Sequence, residues 1–208
     1  MSAEKFEELP SEKKMRIINA GLECFGQYGY KKANTDLIVE KAGISKGLLF
    51  YYFKNKETFY LYLCDFCSKV SLEAVDVAKM SAITDFFDML DFGIRTKLKI
   101  WSDYPYMYDF SLRMVLFQDE KVSASVNDYL AENFDTTFDE YFKNIDFSRF
   151  KEDIDPKYIY KMFLWLSEGY LSEKHRTNQP IVFEEAIAEF EKWKAMIKIG
   201  RASCRERV

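Results

Sequence analysis

The chain has 208 residues and a mass of 24.7 kDa; it is 48% apolar and carries 34 acidic against 30 basic residues. Such a chain holds one domain or two small ones, is too apolar for disorder, and can bury a core without disulfides or metal. With only 8 Gly and 4 Pro it lacks the punctuation of a β-sandwich or a parallel-sheet nucleotide binder, and its single histidine excludes any site built on two.

Nearly every segment repeats with a period near 3.6. Ile17, Ala20, Gly21, Cys24, Phe25 and Tyr28 form one apolar face, which predicts a helix over 11–28 with Gly29 as a left-handed stop. Asn34 is placed to cap a second helix that runs to Ala42 and closes at Gly43. Ser45 caps a short third helix, roughly 46–52, and Asn55 a fourth that continues to about Lys79. Further helices are expected over about 84–101, from Pro105, within about 120–144, from the Asp155-Pro156 cap to about Lys174, and from Pro180 to about Ile199. The predicted fold class is all-α with about nine helices, a head of three followed by a larger bundle. Residues 1–54 form the expected head and 55–199 the body. Residues 200–208 carry no apolar period and look like a vector-derived tail.

Charge is uneven. Residues 1–62 hold ten basic and eight acidic residues, and Lys41, Lys46, Lys54 and Lys56 stand in a window without acids. Such a window suits a polyanion, or is a solvated lysine face. Cys64 and Cys67 fall on one helical face and read as packed thiols or as a redox pair; a zinc site would need ligands that the sequence lacks. No apolar run reaches the ~18–20 residues of a membrane span, and MSAEKFEELP has no leader-like core, so a cytoplasmic protein with no membrane partner is expected.

Helix, tight glycine turn and short helix over 35–53 have helix-turn-helix spacing. Val39, Ile44, Leu49 and Phe53 are placed to pack its inner faces. Lys46, Gly47, Leu48, Phe50, Tyr51 and Tyr52 are left less committed to a core, with Lys54 and Lys56 flanking. A short helix with a cationic start and protruding aromatics suits a major groove. Residues 17–63 resemble the DNA-binding head of TetR/AcrR-family transcriptional regulators. The resemblance rests on Phe25, Gly29-Tyr30, Asn34-Thr35, Ile38-Val39, Ala42-Gly43-Ile44-Ser45-Lys46-Gly47, Phe50-Tyr51-Tyr52-Phe53 and Lys56-Glu57. It implies DNA contacts at Thr35, Ser45, Lys46, Gly47, Leu48, Tyr51, Tyr52 and Lys56. Two departures stand out: Phe50 replaces a tyrosine that meets phosphate in the family, and Val39 replaces an alanine. Tyr52 is equally open to being core, and Thr35 and Ser45 to being caps alone.

Aromatic and thioether side chains crowd 83–117. They are core, or line an effector pocket with Phe86, Trp101, Tyr104, Tyr108, Phe110 and Met114 as candidate ligand-binding residues. Arg95 and Arg113 are open to pairing an acidic ligand or to ordinary ion pairs. Two apolar stripes near the C-terminus suit a homodimer interface, with Phe163, Leu166, Gly169, Tyr170, Phe190 and Trp193 as candidates, or their own core. The resemblance implies a palindromic double-stranded DNA operator, a small-molecule effector, a homodimer built on the last two long helices, and repression as the output. No cofactor and no metal are expected, and no catalytic constellation is legible: His175 falls in a predicted loop, and there is no phosphate-cradling glycine loop.

Overall fold

A computed structural model describes residues 2–116, 134–177, 179 and 182–202. Regular structure among them is helical throughout: α1 (Ser2–Glu7), α2 (Ser11–Lys32), α3 (Thr35–Ala42), α4 (Lys46–Phe53), α5 (Lys56–Glu73), α6 (Val77–Ser81), α7 (Phe86–Asp103), α8 (Pro105–Leu116), α9 (Phe134–Tyr141), α10 (Pro156–Arg176) and α11 (Phe183–Ala202). A 3₁₀ turn spans Phe147–Arg149.

Local chemistry sets most boundaries. Asn34 Oδ1 accepts the Asp36 N–H at 2.9 Å, Ser45 Oγ the Leu48 N–H at 3.2 Å and Asn55 Oδ1 the Thr58 N–H at 2.8 Å, so each satisfies a donor that the first helical turn leaves open. Gly29 (φ +72°) interrupts α2, which resumes for one turn, and Gly43 (φ +63°) closes α3. Asp155 Oδ1 caps α10 through the Lys157 N–H at 2.8 Å, with Pro156 in its first position.

Four boundaries differ from expectation. The helix from Lys56 stops at Glu73, because Asp76 turns extended and caps α6 through the Lys79 N–H at 3.0 Å. His175 lies within α10, which runs to Arg176, and is not in a loop. The last helix starts at Phe183 and runs through Gly200 to Ala202, so the expected tail begins inside it. The helix α1 was not expected, since six residues cannot hold a helix alone. It is held by Phe6, which is 0% exposed among the rings of Phe53 (4.7 Å), Tyr62 (5.2 Å) and Tyr52 (5.5 Å). Of the helix expected within 120–144, residues 117–133 lie outside the described set and α9 is the described part.

The chain packs as two units. The first comprises residues 1–75 with the segment from Thr96, and the second Asp76–Arg95 with the segment from Phe134. In the first, α2 is the central helix, with Ile17, Ile18, Leu22 and Phe25 buried against Ile38, Leu49, Phe53, Phe59 and Phe110. The helices α2 and α8 meet at bare backbone: a Cβ on Gly26 would lie 2.9 Å from the Phe110 backbone nitrogen. Arg113 of α8 donates to the Gly26 and Gln27 carbonyls, which precede the break at Gly29. In the second unit Phe86, Phe87, Phe138, Phe142, Phe163 and Phe190 form the core. Beside them the buried Lys194 ammonium holds both Asp91 oxygens at 2.8 Å and Glu191 at 2.7 Å.

Between α4 and α5 the chain turns on Lys54 with φ +59° and ψ −49°, bringing the Asn55 N–H to the Phe53 carbonyl at 2.6 Å. This is a γ-turn on a residue whose Cβ disfavours it. Such strain costs about 1–3 kcal/mol, whereas glycine loses roughly 0.5–1 kcal/mol of unfolded-state entropy. The change Lys54→Gly is therefore expected to stabilise the fold by about 1 kcal/mol, read as a higher urea midpoint with an unchanged slope. A lower midpoint would show that the turn is not strained.

Candidate nucleic-acid interface

The pair α3–α4 stands on a buried base. Ile38, Val39 and Ala42 of α3 and Leu49, Tyr52 and Phe53 of α4 are buried in the first unit's core, with Ile44 and Leu48 packed against it. The Arg16 guanidinium donates to the Ala42 carbonyl at 2.7 Å, which ties the C-terminus of α3 to α2. Neither helix is long enough to persist by itself, so this base fixes the angle at which α4 is presented.

The outer side of α4 is small, polar and aromatic. Ser45, Lys46, Gly47 and Tyr51 are exposed, Tyr51 at 53%. A Cβ on Gly47 would meet nothing closer than Ser45 Oγ at 4.0 Å, so the first turn of α4 can approach a surface closely. The open N–H groups of that turn point outward with the positive end of the helix dipole, an arrangement that favours anions.

The predicted residues fall into three sets. Ser45, Lys46, Gly47 and Tyr51 share the exposed side, while Thr35 and Leu48 are half-buried. Tyr52, 7% exposed and edge-on to Phe6, is core. Lys56 turns back on the fold: its ammonium donates to the Ala33 carbonyl at 2.9 Å and the Lys31 carbonyl at 3.3 Å and lies 4.8 Å from the Tyr30 ring centre. It neutralises the carbonyl end of α2, a role that sequence spacing cannot reveal. Ser45 caps α4 and stays exposed, so its two possible roles coexist; for α3 the cap is Asn34, not Thr35.

The basic window is partly compensated. Lys46 meets Asp36 at 2.9 Å and Lys41 meets Glu23 at 2.9 Å, while Lys54 is exposed. The bond to Glu23 raises the Lys41 pKa above its usual value. The sequence window itself holds four lysines and no acid. Partners from other helices are invisible in such a linear count.

The other candidate residues spread over both units. Phe110 sits in the first unit's core and Trp101 and Tyr104 pack against it, the buried Tyr108 lies edge-on to Trp101 at 4.6 Å, and Met114 is half-buried. Phe86 instead packs in the second unit against Phe87, Phe142 and Phe150. The six candidates are therefore divided between the two units. A groove of about 200 Å³ opens in the second unit, lined by Phe87, Phe150, Lys151, Ile154, Ile159, Met162 and Ile197, none of them in the predicted set. Arg113 serves the α2 carbonyls, as described above, and Arg95 is exposed. Burial pushes the thiols of Cys64 and Cys67 up to about 12.

Of the predicted interface residues, Phe163 and Phe190 pack on each other at 5.1 Å inside the second core, and Tyr170 packs edge-on to Trp193 at 6.2 Å. Only Leu166 and Gly169 are exposed. Tyr158, in the apolar stripe of α10, and Trp165 beside it are exposed at 54% each.

Comparison with known proteins agrees with this geometry. Residues 17–63 match the model of the bacterial regulatory proteins of the tetR family. The HTH-type transcriptional regulator RutR of Escherichia coli (strain K12) is 34% identical over 100 residues, 46% of this chain and 44% of RutR. The match thus spans less than half the length of that relative. Over the whole fold, a TetR-like transcriptional regulator from Rhodococcus sp. RHA1 superposes with a TM-score of 0.63 at 16% identity, covering 89% of this chain and 96% of that one. The fatty acid degradation regulator FadR from Bacillus halodurans superposes with a TM-score of 0.59 at 17% identity, covering 79% and 88%. Residues 17–63 thus match the head of the tetR family in sequence, and the described helices have the fold of these solved structures.

Proposed function

We propose that the protein binds a palindromic double-stranded DNA operator as a homodimer, represses transcription there, and is released by a small apolar or aromatic effector. The observation that carries this reading is the first turn of α4, where Ser45, Lys46, Gly47 and Tyr51 are exposed on a helix anchored by Leu49, Tyr52 and Phe53. Thr35 and Leu48 border that side and complete the contact surface. Backbone N–H groups, Ser45 and Lys46 take phosphates, and the side chains around Gly47 reach base edges.

The dimer reading rests on the outer sides of α10 and α11. Tyr158, Trp165 and Gly169 recur at helical spacing, and a Cβ on Gly169 would meet nothing within 4 Å, so a second helix can approach closely. Leu166, Ala188, Ala195 and Met196 are exposed as well. Two heads related by a twofold axis would then read half-sites about 34–36 Å apart. The effector reading is supported by the apolar groove of the second unit, where Lys151 is the one charged lining residue. Control requires an effector that binds two shapes of the protein unequally; a tenfold change in DNA affinity corresponds to about 1.4 kcal/mol.

Control by oxidation of Cys64 and Cys67 has less support. Burial pushes both thiols up to about 12, which disfavours the thiolate, the species that reacts.

Selection of duplexes from a randomised pool by the full chain tests the proposal. The expected product is a twofold-symmetric sequence with half-sites about one helical turn apart. A pool that stays random after repeated rounds would contradict it.

A further inference from the structure

The N-terminal helix α1 lies against the DNA-reading helix, and no feature of the sequence pattern draws attention to it. Its anchoring is specific. Phe6 fills the box formed by Tyr52, Phe53 and Tyr62, and Glu7 accepts from the Tyr62 hydroxyl at 2.6 Å and from Lys14 at 2.8 Å. Lys5 is thereby held beside the exposed side of α4. Its ammonium donates to Tyr51 Oη at 2.8 Å and lies 5.3 Å from that ring's centre.

The chemistry of this pair differs from that of the neighbouring lysines. Lys46 and Lys41 meet carboxylates, and Lys56 meets backbone carbonyls. The hydrogen-bond acceptor of Lys5 is a phenol oxygen. An ammonium has three N–H donors, of which Tyr51 takes one, and the phenol, while accepting, keeps its own O–H to donate. The pair thus offers several donors and a positive charge on the surface that carries Ser45, Lys46 and Gly47. Glu8, just past the end of α1, adds a weaker favourable field to the Lys5 ammonium than Tyr51 does. We propose that Lys5 and Tyr51 together form a binding site for one backbone phosphate of duplex DNA, so that α1 extends the contact surface of the head. This rests on the DNA-binding reading above and deepens it.

The test uses the full chain and a mixed-sequence duplex of about three helical turns, with affinity measured across a salt series. The expected result for Lys5→Gln is a threefold to tenfold weaker affinity at low salt, about 0.65–1.4 kcal/mol. The slope of log affinity against log salt should fall in magnitude by about 0.9 for each head engaged. The conservative change Lys5→Arg should keep the wild-type slope. The change Tyr51→Phe should weaken binding with a smaller change in slope, and the double variant should lose less than the sum of the two, because each group positions the other. Lys5 is exposed, so an unchanged urea midpoint separates this from unfolding. Wild-type affinity and slope in Lys5→Gln would overturn the proposal while leaving the DNA reading intact, as would an affinity loss that is independent of salt. A wild-type protein that binds no duplex at low salt would overturn both.

Discussion

Phe53→Ala is expected to destabilise the first unit by about 3–5 kcal/mol, the scale for emptying a buried phenylalanine site. Phe53 is fully buried and holds three elements at once: its ring lies 4.7 Å from Phe6 of α1, 4.7 Å from Phe59 and 5.1 Å from Tyr62 of α5. The rings around it are held by further edge and tilted contacts, so they cannot collapse fully into the space, and the cavity contribution adds to the lost burial. Total stabilities of such proteins are about 5–15 kcal/mol, so the variant should be marginal at room temperature. Because α4 is only eight residues long, its angle depends on this anchor, and duplex affinity should fall with stability. The control Phe53→Leu keeps most of the volume and should cost less than half as much. Urea unfolding of the three proteins measures the difference; a loss below about 1 kcal/mol for the alanine variant would mean that the aromatic box is not what holds α4.

Gly47→Glu should separate the two effects, leaving the fold slightly more stable while DNA binding is lost. Gly47 is the second residue of α4, and a Cβ there meets open space. Replacing an exposed helical glycine removes an entropic cost of about 0.5–1 kcal/mol, and an acid in the first turn complements the helix dipole. On the exposed side, however, the new carboxylate stands where the helix must approach phosphates and base edges. Repulsion and bulk together should lower duplex affinity at least ~100-fold, or about 2.7 kcal/mol. The neutral Gly47→Ala isolates the effect of bulk. A Gly47→Glu protein that binds duplex as the wild type does would place the DNA surface elsewhere.

The head was readable because its boundaries are set by local chemistry. Asn34, Ser45 and Asn55 cap helices through donors two or three residues ahead, and Gly43 adopts a left-handed conformation that its own sequence position requires. Contacts between distant residues were not readable in the same way. Burial of Phe6, and with it the whole of α1, depends on a box made by residues 46 to 56 positions later. Lys56 reads from the sequence as a flanking DNA contact, whereas the fold brings the carbonyl end of α2 to it. Tyr51 and Tyr52 are adjacent and alike, and only the angle of α4 against α1 sends one outward and the other into the core. In the body, spacing identified the apolar sides of α10 and α11 but not what they face. Phe163 and Phe190 meet each other, while Tyr158 and Trp165 stay outside. The aromatic run of α7 and α8 likewise read as one cluster, because sequence proximity does not show that Phe86 belongs to one core and Phe110 to another.

Hydrogen exchange of the full chain with and without a selected duplex tests the central claim most directly. The amides of residues 45–48 form the first turn of α4, where only the Leu48 N–H has a side-chain acceptor, so the turn exchanges readily unless something covers it. The account predicts that bound DNA slows exchange over residues 43–51 and leaves α10 and α11 unchanged. Protection confined to residues 156–202, with 43–51 exchanging as in the free protein, would contradict it.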